Sequence, residues 1–251
     1  MTKRIKPDPP IEWLINDLAF SNPQSQLAIE LFPPGLGQHI RRLHSAIPGY
    51  RMSPLKGLPH LANRLGLGGI WVKDESERLT LNSFKVLGGS YAIYRRLLQR
   101  AGMDEENISL RDLLSLTGSI REKLGHPVFC TATDGNHGRG VAWAANKMGF
   151  HSIIYVHKLT TKERIRAIEK EGGEVRIVDG NYDDAVYQAR VDAKANGWDV
   201  ISDTSWEGYE DVPKWIMQGY ATMFVETQEQ FAAMGIMRPS HLFVQAGVGS
   251  L

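Results

Sequence analysis

Lys85 is the residue whose type and setting best suit covalent chemistry. It falls near the start of a predicted helix over residues 83–100, directly after Phe84 and shortly before two glycines. The positive end of a helix and burial both disfavour a protonated amine. A neutral amine is what a Schiff base with an aldehyde cofactor requires. A surface lysine near a helix start fits the same spacing, so the local sequence leaves both interpretations open.

Glycine-rich stretches at residues 135–140 (GNHGRG) and 245–250 (QAGVGS) could hold an anion. Each follows a predicted strand, and the first opens a predicted helix. A loop that enters a helix presents free N–H groups and a positive dipole end, which suits a carboxylate or a phosphate. The spacing G-x-x-G-x-G departs from the dinucleotide fingerprint, and the sequence contains no P-loop pattern. A nicotinamide-binding protein is therefore the weaker alternative.

The elements that must position these residues alternate between strands and helices. This alternation is typical of βαβ units and predicts an α/β fold with mainly parallel sheets flanked by helices. One of the helices is predicted to begin with a capping box between Thr160 and Glu163. The predicted strands are 70–73, 128–131, 152–156, 175–178, 199–201 and 241–244, and the predicted helices are 58–65, 83–100, 139–148, 160–171, 182–195 and 212–234.

Composition narrows the class of protein and of partner. The chain has 251 residues, of which 42% are hydrophobic, and a formal net charge of +1. This balance gives no reason to expect nucleic acid or an anionic membrane as a partner. The sequence shows neither a membrane-spanning apolar run nor a signal peptide, so a soluble cytoplasmic protein is expected. Cys130 is the single cysteine, which excludes an internal disulfide and a cysteine metal cage, and it is predicted to be an inert core thiol.

The sequence ends where a helix is expected to begin. Residues 245–250 predict a turn from a strand into a helix, but the chain stops at Leu251. A domain rarely ends at such a turn, because the strand would be left uncovered. We therefore expect a C-terminally truncated chain that is inactive, or nearly so, on its own.

Several segments together resemble the fold-type-II pyridoxal phosphate enzymes, the family of the tryptophan synthase β subunit, threonine synthase and the serine and threonine dehydratases. Within that family the match is to the diaminopropionate ammonia-lyases. The resemblance runs from about residue 50 to the end, and no part of residues 1–45 contributes to it. The segments are 72–76 (VKDES), 81–85 (LNSFK), 131–145 (TATDGNHGRGVAWAA), 203–209 (DTSWEGY) and 215–220 (WIMQGY).

The resemblance implies how pyridoxal 5'-phosphate would be bound. Lys85 would form the Schiff base, Phe84 would pack beside the cofactor ring, and Asn136 would hydrogen-bond the ring oxygen. The phosphate would be held by the backbone N–H groups of Gly247, Val248 and Gly249. From the sequence alone, a core aromatic, a turn asparagine and a simple glycine turn remain alternatives for these positions.

The resemblance also implies two catalytic carboxylates, Asp134 and Asp203, and an α,β-elimination. Lys85 would remove the Cα proton from L-2,3-diaminopropionate and Asp134 from the D isomer. The β-amino group would leave, and aminoacrylate would hydrolyse to pyruvate and ammonia. Either aspartate could instead be a loop or helix-capping residue.

At the level of the whole protein, the resemblance implies a large cofactor-binding domain from residues 1–88 and 202–251 and a small α/β domain from 89–201. We expect an amino-acid substrate and, for the full-length protein, a homodimer. We expect no metal site. Two alternatives for the function stay open. The protein could be another pyridoxal phosphate lyase, such as a serine or threonine dehydratase, or a non-catalytic truncated remnant.

Overall fold

The computed structural model describes residues 26–104, 124–133, 135–245 and 249–251. The chain forms two compact units, Met1–Pro34 and Gly35–Leu251. The described part of the first unit contains one short helix, α1 (Gln26–Leu31). No helix in the described ranges is long and apolar enough to cross a membrane. The candidate site lies in the second unit.

The second unit contains a small antiparallel sheet, a larger parallel sheet and the helices around them. Its described strands are β1 (Leu55–Gly57), β2 (Trp71–Lys73), β3 (Val128–Ala132), β4 (His151–His157), β5 (Glu174–Val178) and β6 (Asp199–Val200). Its described helices are α2 (Leu36–Ser45), α3 (Pro59–Leu65), α4 (Lys85–Ala101), α5 (Asn136–Lys147), α6 (Lys162–Lys170), α7 (Tyr182–Asn196) and α8 (Asp211–Ala233), with a 3-10 helix over Glu75–Thr80.

The parallel sheet has the strand order β5-β4-β3-β6, and every pairing within it is parallel. Its strand β4 is buried at five consecutive positions, as expected for a parallel strand with both faces covered. Cys130 is fully buried in β3, and burial raises the pKa of its thiol to about 12. A thiol in this state is a core residue, as predicted. The predicted α/β fold with a parallel sheet flanked by helices is confirmed.

Helix α4 is fixed by close backbone contacts with the helices on either side. A Cβ atom on Gly219 of α8 would lie 2.6 Å from the Leu87 carbonyl oxygen of α4. On the other side, a Cβ atom on Gly140 of α5 would lie 3.0 Å from the backbone of Val86. Both distances are too short for a larger residue to fit without movement, so glycine is required where the helices cross. These crossings set the position of Lys85, the first residue of α4.

The predicted strand over residues 241–244 is wrong. The segment has no strand structure, and Phe243 is 90% exposed. Its apolar residues suggested a buried strand, but a strand also needs a neighbour to complete its hydrogen bonds. None of the described residues pairs with this segment.

The predicted capping box of α6 is also wrong, by one residue. Thr161, in an extended conformation, is the N-cap, and its side chain accepts a hydrogen bond from the Arg164 N–H at 3.5 Å. Thr160 is instead buried, and its N–H donates to the His157 carbonyl oxygen. The pattern fits Thr160 alone, since the third residue after Thr161 is Arg164, so it selected the wrong one of two adjacent threonines.

Candidate functional site

The turn that precedes Lys85 has an unusual backbone. Leu79, Thr80 and Asn82 have φ angles of 47°, 63° and 56°, in the left-handed region that non-glycine residues rarely adopt. Such conformations persist where the surrounding structure holds them, and they cluster at functional sites. Here they direct the chain from the 3-10 helix into α4, so that Lys85 begins that helix.

The Lys85 side chain meets residues that are distant in sequence. Its Nζ donates to Asp203 Oδ2 at 2.7 Å and to Ser250 Oγ at 2.9 Å. The same nitrogen lies 5.7 Å from the ring centre of Phe84 and 5.6 Å from that of Tyr220. The two rings meet edge to face, with 5.0 Å between their centres. Lys85 therefore has an aromatic wall on one side and polar groups on the other.

Asp203 is a buried carboxylate held close to two nitrogen-bearing side chains. Burial alone would raise its pKa, but nearby His137 and Lys85 outweigh that effect and lower the pKa below its ordinary value. His137 Nδ1 lies 3.8 Å from Asp203 Oδ2. His137 Nε2 lies 2.7 Å from the Ile201 carbonyl oxygen, and because a carbonyl only accepts, Nε2 carries a proton. Asp203 is therefore an ionised group at neutral pH.

These residues line an open cavity of about 460 Å³. The N-terminus of α5, which Gly135 precedes, forms one part of its wall. Thr133 Oγ1 accepts from the N–H groups of Gly135 and Gly138, at 2.9 and 3.1 Å, and fixes the turn there. The described lining residues are Ser83, Phe84, Lys85, Ala132, Thr133, Gly135, Asn136, His137, Arg164, Tyr182, Asp203, Gln245, Gly249, Ser250 and Leu251.

The residues present fit pyridoxal phosphate. The cavity offers an amine on Lys85, an aromatic side chain on Phe84 for the pyridine ring, and a helix N-terminus that favours an anion. Its size suits a small cofactor and an amino acid. Among the residues that the structure describes, no three histidine, cysteine, aspartate or glutamate side chains are grouped to hold a metal ion.

Most of the predicted site residues lie at this one cavity. Phe84, Lys85, Asn136, Asp203 and Gly249 all line it, and Asn136 is exposed there. Three other predicted residues lie outside the described part of the chain: Asp134, Gly247 and Val248. The roles given to all eight stay predictions.

Three residues near Lys85 were not predicted from the sequence. Tyr220 contributes to the aromatic wall, Ser250 accepts from Lys85, and His137 faces Asp203. His137 could have been noticed, because it lies within the glycine-rich loop at a helix N-terminus. Tyr220 lies in the middle of α8 and ends the segment 215–220 that contributes to the resemblance, but no role was assigned to it from the sequence.

A buried ion cluster outside the cavity anchors the turn before Lys85. The side chains of Arg78 and Glu226 are fully buried and make two hydrogen bonds, each of 2.7 Å. Lys73 Nζ lies 2.7 Å from Glu226 Oε2. Burial alone would raise the pKa of Glu226, but Arg78 and Lys73 outweigh it and lower the pKa to about 2. The 3-10 helix is thereby tied to α8.

Glu226→Gln is expected to destabilise the protein strongly at neutral pH. Removing its charge leaves two cations in the buried cluster, Arg78 and Lys73, with Glu75 as their remaining carboxylate partner. Breaking a buried ion pair in this way costs about 3–5 kcal/mol. Because the folded-state pKa is depressed, the contribution of Glu226 is complete above pH 4.5 and is lost as the pH falls towards about 2. Urea unfolding at several pH values measures both effects.

The matched control for this change is Glu229→Gln on the same helix. Glu229 is half-exposed and pairs with Arg41 at the surface, so its loss should cost less than about 1 kcal/mol. Equal unfolding free energies for the two variants at neutral pH would contradict the anchoring role of Glu226.

Comparison with known proteins gives a consistent result. A family model described as pyridoxal-phosphate dependent enzyme matches residues 47–251. Diaminopropionate ammonia-lyase of Salmonella typhimurium is 47% identical over 223 residues, which are 89% of this chain and 55% of that protein. The corresponding protein of Escherichia coli K12 is 46% identical and matches over 88% of this chain and 54% of its own length. The chain thus spans about half the length of the curated relatives it matches.

Solved structures agree with this similarity. The crystal structure of Escherichia coli diaminopropionate ammonia lyase in complex with D-serine matches with a TM-score of 0.82 at 45% identity, over 88% of this chain and 55% of that chain. The same enzyme in complex with an aminoacrylate-PLP azomethine reaction intermediate matches with a TM-score of 0.79 at 44% identity, over 88% and 54% of the two chains. Since the family model covers residues 47–251, this chain belongs to the pyridoxal-phosphate dependent enzymes, whose cofactor is pyridoxal 5'-phosphate.

Proposed function

We propose that the whole protein catalyses the α,β-elimination of 2,3-diaminopropionate to pyruvate and ammonia. The observation that carries this proposal is the contact between Lys85 Nζ and Asp203 Oδ2, in a cavity that fits the cofactor. The similarity to diaminopropionate ammonia-lyases supports the choice of substrate. The reaction balances when one diaminopropionate and one water give one pyruvate and two ammonia.

Bound cofactor supplies an electron sink that stabilises the negative charge left when the Cα proton departs. Lys85 would hold the cofactor through its aldehyde, and its Nζ would be the base that removes the Cα proton from the L isomer. Phe84 would pack beside the ring, and Asn136 would donate to the ring oxygen. The phosphate would be held by the backbone N–H groups of residues 247–249.

Asp203 accounts for the preference for a diamino acid. Its carboxylate is ionised and close to the reacting amine, so it can bind the protonated β-amino group of the substrate. A protonated β-amino group leaves as neutral ammonia, which is a better leaving group than an amide anion. A serine or threonine substrate has no second ammonium for Asp203 to bind.

This proposal has three further parts. The whole protein is a homodimer, its domains divide at residues 88/89 and 201/202, and Asp134 is the base for the D isomer. They rest on the resemblance to the fold-type-II enzymes. Asp134 lies directly before Gly135 at the α5 N-terminus, close in sequence to the cavity lining.

The proposed reaction is tested by product stoichiometry. The whole protein, saturated with pyridoxal phosphate, is given D- and L-2,3-diaminopropionate, D- and L-serine and L-threonine in separate assays. Turnover of diaminopropionate with two ammonia per pyruvate is the expected result. Faster turnover of serine or threonine, with one ammonia per keto acid, would identify a dehydratase instead. Cofactor binding without any turnover would identify a non-catalytic relative.

Asp203→Asn is expected to lower kcat/KM for diaminopropionate more than for serine. The amide keeps the shape of the side chain but loses the charge that binds the second ammonium. A hydrogen bond to a charged group is worth about 1.5–3 kcal/mol, so the selective loss should be about 10- to 100-fold. Steady-state kinetics with both substrates on one preparation measures it, and an equal loss on both would contradict this role.

A further inference from the structure

Arg139 joins helix α5 to the turn that precedes Lys85. Its Nη1 donates to the Leu81 carbonyl oxygen at 3.0 Å, and its Nη2 and Nε donate to Glu171 Oε1 at 2.8 and 3.3 Å. Glu171 directly follows α6, and Leu81 directly follows the 3-10 helix. The Arg139 side chain is 18% exposed and is not among the described residues that line the cavity. One guanidinium therefore links three segments of the chain from outside the cavity.

The carbonyl that accepts from Arg139 belongs to a peptide group whose orientation controls the turn. The plane of the peptide between Leu81 and Asn82 sets ψ of Leu81, which is −2°, and φ of Asn82, which is 56°. Turning this plane over would move Asn82 to a negative φ, which a residue with a side chain adopts at lower cost. The turned carbonyl would point away from Arg139. The hydrogen bond from the charged guanidinium therefore opposes this flip.

Helix α5 also holds the chain on the other side of this turn. Gly140 follows Arg139 in the helix. A Cβ atom on Gly140 would lie 3.0 Å from the backbone of Val86 and 3.2 Å from the carbonyl carbon of Lys85. The helix thus contacts position 81 through a hydrogen bond and positions 85 and 86 through close packing. Together these contacts fix the backbone that carries the Lys85 amine.

We infer that Arg139 is a positioning residue that sets the place of the Lys85 amine by holding the peptide before Asn82. Its link to catalysis rests on the proposed function, which gives Lys85 its task. The cluster around Glu226 ties the 3-10 helix to α8, whereas Arg139 holds the residue after that helix from α5. A displacement of about 1 Å at a reacting group can lower a rate about 100-fold, so a flip at Asn82 would affect the chemistry.

Three variants of the whole protein with bound cofactor separate this role from a contribution to stability. Arg139→Met keeps an unbranched side chain and removes every donor. Arg139→Lys keeps the charge but has no planar fork to reach both partners at once. Glu171→Gln is the matched control, because it removes the ion pair and leaves the hydrogen bond to Leu81 in place. A role in stability alone would make Arg139→Met and Glu171→Gln behave alike.

Hydrogen exchange reports on the turn itself. In Arg139→Met we expect the backbone amides of residues 79–86 to exchange about 10-fold faster, because the peptide loses the bond that holds it. Arg139→Lys should lie between this variant and the unmodified protein, and Glu171→Gln should exchange as the unmodified protein does. Mass spectrometry of peptides measures the exchange, and thermal unfolding shows that each variant is folded.

Kinetics and absorbance report on the Lys85 amine. Arg139→Met should lower kcat for L-2,3-diaminopropionate about 10- to 100-fold and change KM by less than about 3-fold. The pH at which the visible absorbance of the lysine-bound cofactor changes should shift by about half a unit or more, because it depends on the surroundings of the bonded nitrogen. Glu171→Gln should alter neither quantity.

Three results would overturn the inference: equal changes in Arg139→Met and Glu171→Gln, a raised KM with kcat unchanged, or unchanged exchange at residues 79–86 in Arg139→Met. If Arg139→Met does not fold, Arg139→Lys is compared with Glu171→Gln in the same way. Exchange and absorbance need no turnover, so they separate this inference from the proposed function. If both respond to Arg139→Met but diaminopropionate is not consumed, the reaction fails and the positioning role stands. If diaminopropionate is consumed equally by Arg139→Met, the positioning role fails and the reaction stands.

Discussion

Replacing Lys85 with alanine is expected to reduce turnover of diaminopropionate by at least about 10³-fold. Two functions are expected to be lost together, because we propose that the same amine bonds to the cofactor and removes the Cα proton of the L isomer. Loss of a general base alone typically costs about 10²–10⁴-fold. Lys85→Arg should be equally inactive, since a guanidinium stays protonated and cannot bond to an aldehyde.

Lys56→Ala is the control for this loss. Lys56 pairs with Asp74 on the small sheet and does not line the cavity, so its replacement should leave turnover within about 3-fold of the unmodified protein. Thermal unfolding of each variant shows whether the fold survives. A folded Lys85→Ala protein that retains a tenth or more of the original kcat would refute the assignment.

Asp134→Asn is expected to impair turnover of D-diaminopropionate selectively, by about 10²–10⁴-fold, because the amide keeps the shape of the side chain but cannot accept the Cα proton. The L isomer should be affected far less, since in our proposal Lys85 serves it from the opposite face. This prediction comes from the sequence, as Asp134 lies outside the described residues. Initial rates with the two isomers on one preparation measure the selectivity, and the L isomer is the internal control.

A different outcome would assign Asp134 another task. An equal loss on both isomers would indicate that it contributes to substrate binding or to folding. A loss confined to the L isomer would reverse the roles of Asp134 and Lys85.

Much of the fold could be predicted from the sequence because its signals are local. The buried apolar run in β4 and the helical pattern of α7 are each contained within one element. Alternation of such elements is enough to predict a parallel sheet. The failure at residues 241–244 has the same origin, since an apolar run predicts a strand but says nothing of whether a neighbour pairs with it.

The site was predicted in part, and the remainder depends on contacts between distant residues. Lys85 and Asp203 were identified from motifs, but their contact joins residues 118 positions apart. The contact of Lys85 with Ser250 spans 165 positions. The spacing of residues along the sequence carries no information over such intervals. The folded structure was therefore needed to identify the contacts among Lys85, Asp203 and His137 and the position of Arg164 at the cavity.

The central claim, that Lys85 is the lysine that holds the cofactor, has a direct chemical test. The whole protein is saturated with pyridoxal phosphate, reduced with borohydride to fix the lysine–cofactor bond, digested, and mapped by mass spectrometry. The account predicts a phosphopyridoxyl label on Lys85. Lys73 is the most informative alternative, because burial lowers its pKa, yet its amine is enclosed by Glu226, Gln230 and a carbonyl oxygen. A label on Lys73 or Lys56 in place of Lys85 would contradict the account.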